Sequence, residues 1–376
     1  MKKSLIALAI FGAFAGAASA QSNVTLYGIV DAGLQYKKGA DKTAPTTSQF
    51  GVDGGYVAGN RWGLRGTEAL GNGLNAIFTL ESGFDIDRGT SAQGGRLFGR
   101  QAWAGLNGGF GNVVFGRIAT FSSGTGSFDM FGAVDPFGTG WGLNSAGSTF
   151  LSANATRADN TVAYVTPTWG GFKAGAAYSF NLDGTEAAGS SNNTRVMALG
   201  ASYAVGPFYG VVTYDSIAFP SKIGGSDQKH LQVGGSFDLK FVKLSAAYAN
   251  QSNVRTLLPS GLLNSATTTL SAADYAKEAA KPGNVVAPVG GFDADSYLVG
   301  ANVPLFGGNL LASWQMLDGD KVGTFQAKYS VYSVGYGYPL SKRTSLYAGY
   351  GKRTADGSLP TTFEGQQGAL GVNHKF

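Results

Sequence analysis

The sequence predicts an all-β chain closed into a 16-stranded antiparallel transmembrane β-barrel, with short turns at one end and long loops at the other. Three observations predict it. Apolar and polar residues alternate with period two through one run after another. Sixteen such runs can be counted, and the connections between them are tight and long in turn. Beyond the first twenty residues no stretch reaches 18 apolar residues, so no spanning helix is expected. A closed barrel is the other structure that satisfies every backbone group in lipid.

The first twenty residues read as a cleaved signal peptide. Lys2 and Lys3 give a charged start, Leu5 to Ala17 a short apolar run, and Ala18-Ser19-Ala20 a small-residue cleavage site before Gln21. Residues 21–376 then form one barrel domain. The formal charge of +5 falls by two, to +3, once those lysines are removed. That is too small an imbalance to point to nucleic acid. There is no cysteine, which excludes thiol catalysis, disulfides and thiolate metal sites.

Taken in order, the runs fall near 24–36, 56–68, 74–81, 95–106, 112–117, 159–167, 171–181 and 194–205, then 207–217, 227–238, 240–250, 292–304, 308–318, 325–339, 344–352 and the C-terminus. In the first, Val24, Leu26, Val30, Leu34 and Tyr36 share a face, and Thr25, Tyr27, Asp31 and Gln35 share the wet one. In the second, Arg61 and Arg65 lie opposite Trp62 and Leu64. Ala69-Leu70-Gly71-Asn72-Gly73 makes a tight turn, because Asn and Gly accept positive φ. Leu74, Ala76, Phe78 and Leu80 then alternate with Asn75, Ile77, Thr79 and Glu81.

Two stretches break the alternation. Residues 118–158 are rich in Gly, Ser, Thr and Phe, and their aromatics favour a packed, ordered loop. Residues 251–291 are mixed, with a short helix expected from Ser271 to Lys281. The last run ends on Phe376 and has no later partner, so it should pair with the first and close the barrel. Tyr36, Tyr178, Tyr248 and Phe376 sit at run ends, as an interfacial aromatic girdle would. A soluble sandwich predicts no such asymmetry of turns and loops.

Several blocks resemble the general porins of betaproteobacteria: V-T-L-Y-G-I-V-D-A-G, R-W-G-L-R-G-T-E-A-L-G-N-G-L from Arg61, F-T-L-E-S-G-F from Phe78 and G-R-L-F-G-R-Q from Gly95. D-P-F-G at Asp135, D-N-T-V-A-Y at Asp159 and the terminal G-V-N-H-K-F also match, in order along the chain. The resemblance implies short periplasmic turns, long extracellular loops, a third loop folded into the pore, and a homotrimer. It implies contact with outer-membrane lipid and lipopolysaccharide, and Phe376 as a C-terminal signal to the barrel-assembly machinery. The 251–291 segment is long for that family, and the third loop unusually rich in Gly and aromatics.

A diffusion channel needs a charged constriction, not a catalytic centre. The basic wall is expected from Arg61 and Arg65, from Arg96 and Arg100 at matching parity on the fourth strand, and from Arg157. Arg61, Arg96 and Arg157 match, by resemblance, positions of a basic cluster. Asp129 and Asp135 are the third-loop candidates for the acidic side, with Asp31 and Glu81 as balancing charges. The alternative is that each arginine ties down a loop or pairs with Glu81 or Asp31, and that Asp135, just before Pro136, caps a turn. Arg117 is ambiguous, sharing the parity of Val113 and Phe115. No catalytic residue, cofactor or metal ligand is expected: His230 and His374 are far apart, and no H-E-x-x-H, G-x-S-x-G or G-K-[ST] motif occurs. The expectation is a passive, weakly anion-selective pore for small hydrophilic solutes. A solute-specific channel or an outer-membrane barrel enzyme is the alternative.

Overall fold

Sixteen antiparallel strands form one closed ring in the computed structural model, which describes residues 23–39, 48–138, 140–144, 149–150, 154–221, 226–254, 256–257, 285–286, 291–323, 326–357, 359 and 364–376. The strands are β1 (Asn23–Lys38), β2 in two pieces (Ser48–Gly54 and Arg61–Gly71), β3 (Leu74–Asp85), β4 (Gln101–Gly108), β5 (Gly111–Ala119), β6 (Arg157–Val165), β7 (Phe172–Ser179) and β8 (Arg195–Val205). They continue as β9 (Phe208–Ala218), β10 (Gln228–Asp238), β11 (Lys243–Val254), β12 (Phe292–Leu305), β13 (Gly308–Gly319), β14 (Ala327–Pro339), β15 (Thr344–Gly357) and β16 (Gly365–Lys375). Each pairs with its neighbour in sequence, and β16 returns to β1 from Ile29↔Lys375 to Lys38↔Gln366. Closure leaves no sheet edge, so no ladder group is stranded in lipid. Among the described residues the only helical turns are three short 3₁₀ segments. The leader at 1–20 and the expected helix at Ser271–Lys281 lie outside the described residues.

The period-two pattern has the polarity of a membrane barrel. Leu26, Leu34, Phe115, Val299 and Leu370 are exposed on the outside, while Gln35, Thr213, Gln232, Gln251 and Gln315 are buried inside. Exposed aromatics mark both borders of the apolar band. Phe110, Trp169, Phe241, Phe306 and Phe376 lie at the short-turn end, and Phe180, Tyr248, Tyr332 and Tyr350 nearer the loops. Amphipathic rings favour that depth. The turn at Asn72-Gly73 has φ of 50° and 77°, the geometry that Asn and Gly tolerate.

Two strand boundaries differ from the sequence expectation. β2 starts at Ser48, not at Tyr56, and is interrupted where residues 55–60 leave the ladder. Glycines 51, 54 and 55 hide the alternation there. β4 starts at Gln101, so Arg96 and Arg100 precede it.

The long loop between β5 and β6, loop 3, folds inside the barrel. Its side chains Phe121, Phe128, Met130, Phe131, Val134 and Phe150 form a buried cluster with wall residues Val114, Ala163, Ala198, Val211, Ala249 and Leu298. Further along, Phe137 and Trp141 pack with Tyr56, Leu311 and Tyr347. The loop returns past β13, β12 and β11. Gln315 Nε2 donates to Asn144 O at 2.7 Å, and Thr149 O accepts from Gln251 Nε2 at 3.0 Å and Ser296 Oγ at 2.8 Å. Both ends are tied to β9: Ser122 Oγ and Asn154 Nδ2 donate to the Asp215 carboxylate.

Candidate pore constriction

The arginines cluster on the wall from β2 to β6, beside the root of loop 3. On β3, Glu81 points inward and is buried. Arg100 Nε donates to Glu81 Oε1 at 2.7 Å, and Tyr27 OH donates to Oε2 at 2.9 Å. Arg61 Nε is held by Gly59 O at 2.9 Å, and Arg157 Nε by Arg100 O at 3.0 Å. Arg65 is exposed, with its guanidinium 5.3 Å from the centre of the Tyr27 ring. A β-carbon placed on Gly59 would lie 3.2 Å from Arg100 Nη1 and 4.0 Å from Arg61 Nη2, so the two guanidinium groups converge there. Arg61, Arg100, Arg117 and Glu81 all act electrostatically on Arg157. Arg100 Nη2 also reaches Thr125 Oγ1 of loop 3 at 3.4 Å, and Gln101 Oε1 accepts from Ser127 N and Oγ, both at 2.9 Å. The arginine wall and the loop root are thus one hydrogen-bonded unit.

Arg96 departs from the expectation. It binds Asp159 through Nη1 at 2.7 and 3.0 Å and forms a second ion pair with Asp183. Arg117 Nη1 meets the same Asp159 at 2.5 Å, and its Nε donates to Gly99 O at 2.9 Å. This clasp ties β5, β6 and the two loops after β3 and β7. The shared parity of Arg96 and Arg100 would have continued into Ala102, Ala104 and Leu106, the outward row of β4. The chain bends before Gln101 instead, and sends Arg100 to Glu81 and Arg96 to the clasp. The ladder of β5 with β6 slips between Gly116 and Ile118, a bulge that re-aims the side chains around Arg117.

The expected acidic side is also corrected. Asp31 is fully buried. Its Oδ1 accepts from Tyr56 N at 3.1 Å and Tyr347 OH at 2.8 Å, and its Oδ2 from Val57 N, Ala58 N and Asn373 Nδ2 at 3.1 to 3.2 Å. Five donors fix this carboxylate as the anchor of the 55–60 excursion, and Tyr56 then stacks on Tyr347 at 5.8 Å. On loop 3, Asp129 accepts from the amides of Gly124, Phe131 and Gly132 at 2.6, 3.3 and 2.9 Å. Burial pushes the Asp129 carboxyl up to about 6, against those amides, which favour its charged form. Asp135 is buried and caps its own turn through Phe137 N at 3.0 Å. Both loop acids hold their own backbone, as short Asp side chains do at turns. Sequence reasoning missed Tyr27 and Gly59 as partners of these side chains. No local signal marks them, because their partners sit on other strands or at a kink.

A closed barrel with an apolar outside, a polar lumen and a loop folded across it beside a row of arginines defines an outer-membrane diffusion channel. The comparisons agree with that class. The chain belongs to the Gram-negative porin family, whose model matches residues 4–358. It is 38% identical to an outer membrane porin protein of Bordetella pertussis, over 100% of both chains. It is 34% identical to outer membrane porin protein 32 of Delftia acidovorans, covering 92% of this chain and 88% of that one. Among solved structures, the anion-selective porin from Comamonas acidovorans superposes with a TM-score of 0.71 at 24% identity, covering 95% of this chain and all of the other, which shows the shared fold. The chain is therefore a passive channel of the outer membrane of a Gram-negative bacterium.

Proposed function

We propose that this channel prefers anions, and that the preference originates at Arg61, Arg65, Arg100 and Arg157. One observation carries this reading. Arg100 is paired with the buried carboxylate Glu81, which also acts on Arg61 and Arg157, and Arg65 lies against Tyr27, while Asp129 and Asp135 are bound to loop 3's own amides. Four arginines against the three carboxylates Glu81, Asp129 and Asp135 leave the throat with a net positive charge. A fixed charge roughly 6 Å from an ion's path in a water-like medium favours an anion by about 0.7 kcal/mol and disfavours a cation by as much, a ~10-fold preference before screening. Salt screens it over ~8 Å, so the selectivity is weak, with little chemical specificity for small hydrophilic solutes.

The chain is exported through cleavage after Ala20, and it works as a homotrimer in contact with outer-membrane lipid and lipopolysaccharide. Phe376 is the mark read by the barrel-assembly machinery. Family membership supports the trimer. Phe376 also exchanges backbone hydrogen bonds with Gly28, at 3.1 and 3.2 Å, where the barrel closes. The test is the reversal potential of the refolded protein in a planar bilayer under a potassium chloride gradient. A sign showing chloride ahead of potassium is expected. A potassium preference would refute the arginine assignment, and no conductance from folded barrels would refute the open pore.

A further inference from the structure

Loop 3 does not lie on the wall at arbitrary places. Gly175 on β7 is directly paired with Gly200 on β8, and Gly335 on β14 with Gly349 on β15. Each pair faces the lumen and receives an aromatic side chain of loop 3, with Phe137 Cε1 also 3.0 Å from the β-carbon position of Gly335 and Met130 Sδ 3.0 Å from that of Gly200. A β-carbon on Gly175 would meet the Phe121 ring at 2.6 Å, and one on Gly200 would meet Phe121 Cβ at 2.8 Å. A β-carbon on Gly335 would meet Trp141 Cζ3 at 2.7 Å, and one on Gly349 would meet Trp141 Cε3 at 2.9 Å. Glycine weakens a strand interior and marks close approach of other groups. Two cross-strand glycine pairs, one under the root of loop 3 and one under its far reach, are therefore seats.

The far seat has a second sign of constraint. Trp141 holds a left-handed backbone, φ 67°, which a bulky residue adopts only where its surroundings over-determine it. Its amide donates to Tyr56 O, and its ring meets Tyr56, Phe137 and Tyr347 edge-on at 5.5 to 6.0 Å. Tyr56 in turn belongs to the excursion that Asp31 anchors.

We infer that these two glycine pairs are size-determining positions of the channel, because they set how deeply loop 3 sinks into the wall and so how far it stands from the arginines. The inference rests on the open-pore reading above. Carbon atoms in contact sit about 3.5 to 4.0 Å apart, so a methyl group on either seat displaces the ring by roughly 1 Å. The wall bars every direction but the lumen, and the throat narrows.

The test is single-channel conductance of Gly335→Ala, with liposome swelling by sugars of increasing size and heat-modifiable gel mobility to confirm folding. Conductance should fall, and swelling by a trisaccharide should drop by a larger factor than swelling by a monosaccharide. The double variant Gly335→Ala/Trp141→Phe should recover toward wild type. Gly337→Ala, on the same strand with nothing within 4 Å of its added β-carbon, should match wild type. Trp141→Phe alone leaves both strands untouched and should raise conductance as the smaller ring sinks deeper. This reads the seat even if Gly335→Ala does not fold. Unchanged or larger conductance in folded Gly335→Ala, or an unchanged value in Trp141→Phe, overturns the inference. A wild-type protein that does not conduct overturns the pore reading instead.

Discussion

The two walls of the lumen are built by opposite means. From β2 to β6, long cationic side chains enter the channel, several held by a single backbone carbonyl, as Arg61 is by Gly59 and Arg157 by Arg100. From β7 to β15, side chains shrink to glycine at the contact points and loop 3 supplies the bulk. One wall contributes charge and the other contributes volume. On the proposed reading, selectivity by sign and selectivity by size are separable, and substitutions on the two walls should change different observables.

The largest break in that contrast is expected at the covered wall. Asp215→Ala removes the acceptor shared by Ser122 and Asn154, the two ends of loop 3. Buried charge-assisted hydrogen bonds contribute roughly 1.5 to 3 kcal/mol each, so the loop loses its tether. Open-channel current noise and the size limit for sugars should both rise, with the sign of the reversal potential unchanged. Should the sign change instead, the walls are not independent.

On the other wall, Arg61→Gln with Arg157→Gln removes two positive charges. At ~10-fold per charge before screening and ~3-fold after it, the chloride-to-potassium permeability ratio should fall by about tenfold. The sugar size limit should stay close to wild type. Bilayer reversal potentials with swelling assays check this, and a ratio equal to wild type would place the filter elsewhere.

Glu81→Gln sharpens the same point in reverse. It removes the one carboxylate bound to Arg100 and Tyr27, so anion preference should increase by up to ~3-fold. It also leaves Arg100 without its charge partner, and the temperature at which the barrel unfolds in detergent should drop.

The smallest effect is expected at Asp129. Its carboxyl is raised to about 6 by burial, above an unfolded value of about 3.9. A raised folded value means the stabilisation is fully present below the unfolded value and is lost as pH rises through about 6. Loop 3 should thus be held more firmly at pH 4 than at pH 7, seen as quieter open-channel current at low pH. Asp129→Asn should flatten that dependence.

Period-two alternation is a local property, and it was enough to predict the strand count, the lumen-facing row of Asp31 and Gln35, the inward Arg61 and Arg65, and the pairing of the last strand with the first. The partners of those side chains were not legible. Arg96 meets Asp159 across 63 residues, and Asp31 meets Asn373 across 342. Parity failed where the backbone was not a strand, as at Arg96 and Arg100, or where a bulge broke it, beside Arg117. The loop acids were legible as charges but not in their use, because Asp129 is a lumen group or a turn cap depending on how its own backbone bends. By itself the sequence determined a closed barrel with a polar, arginine-bearing interior, since alternation and turn chemistry act between near neighbours. Only the tertiary structure decided which charges remain available in the throat and where loop 3 comes to rest. Those outcomes depend on contacts between strands remote in sequence, and on whether a glycine leaves room for a ring.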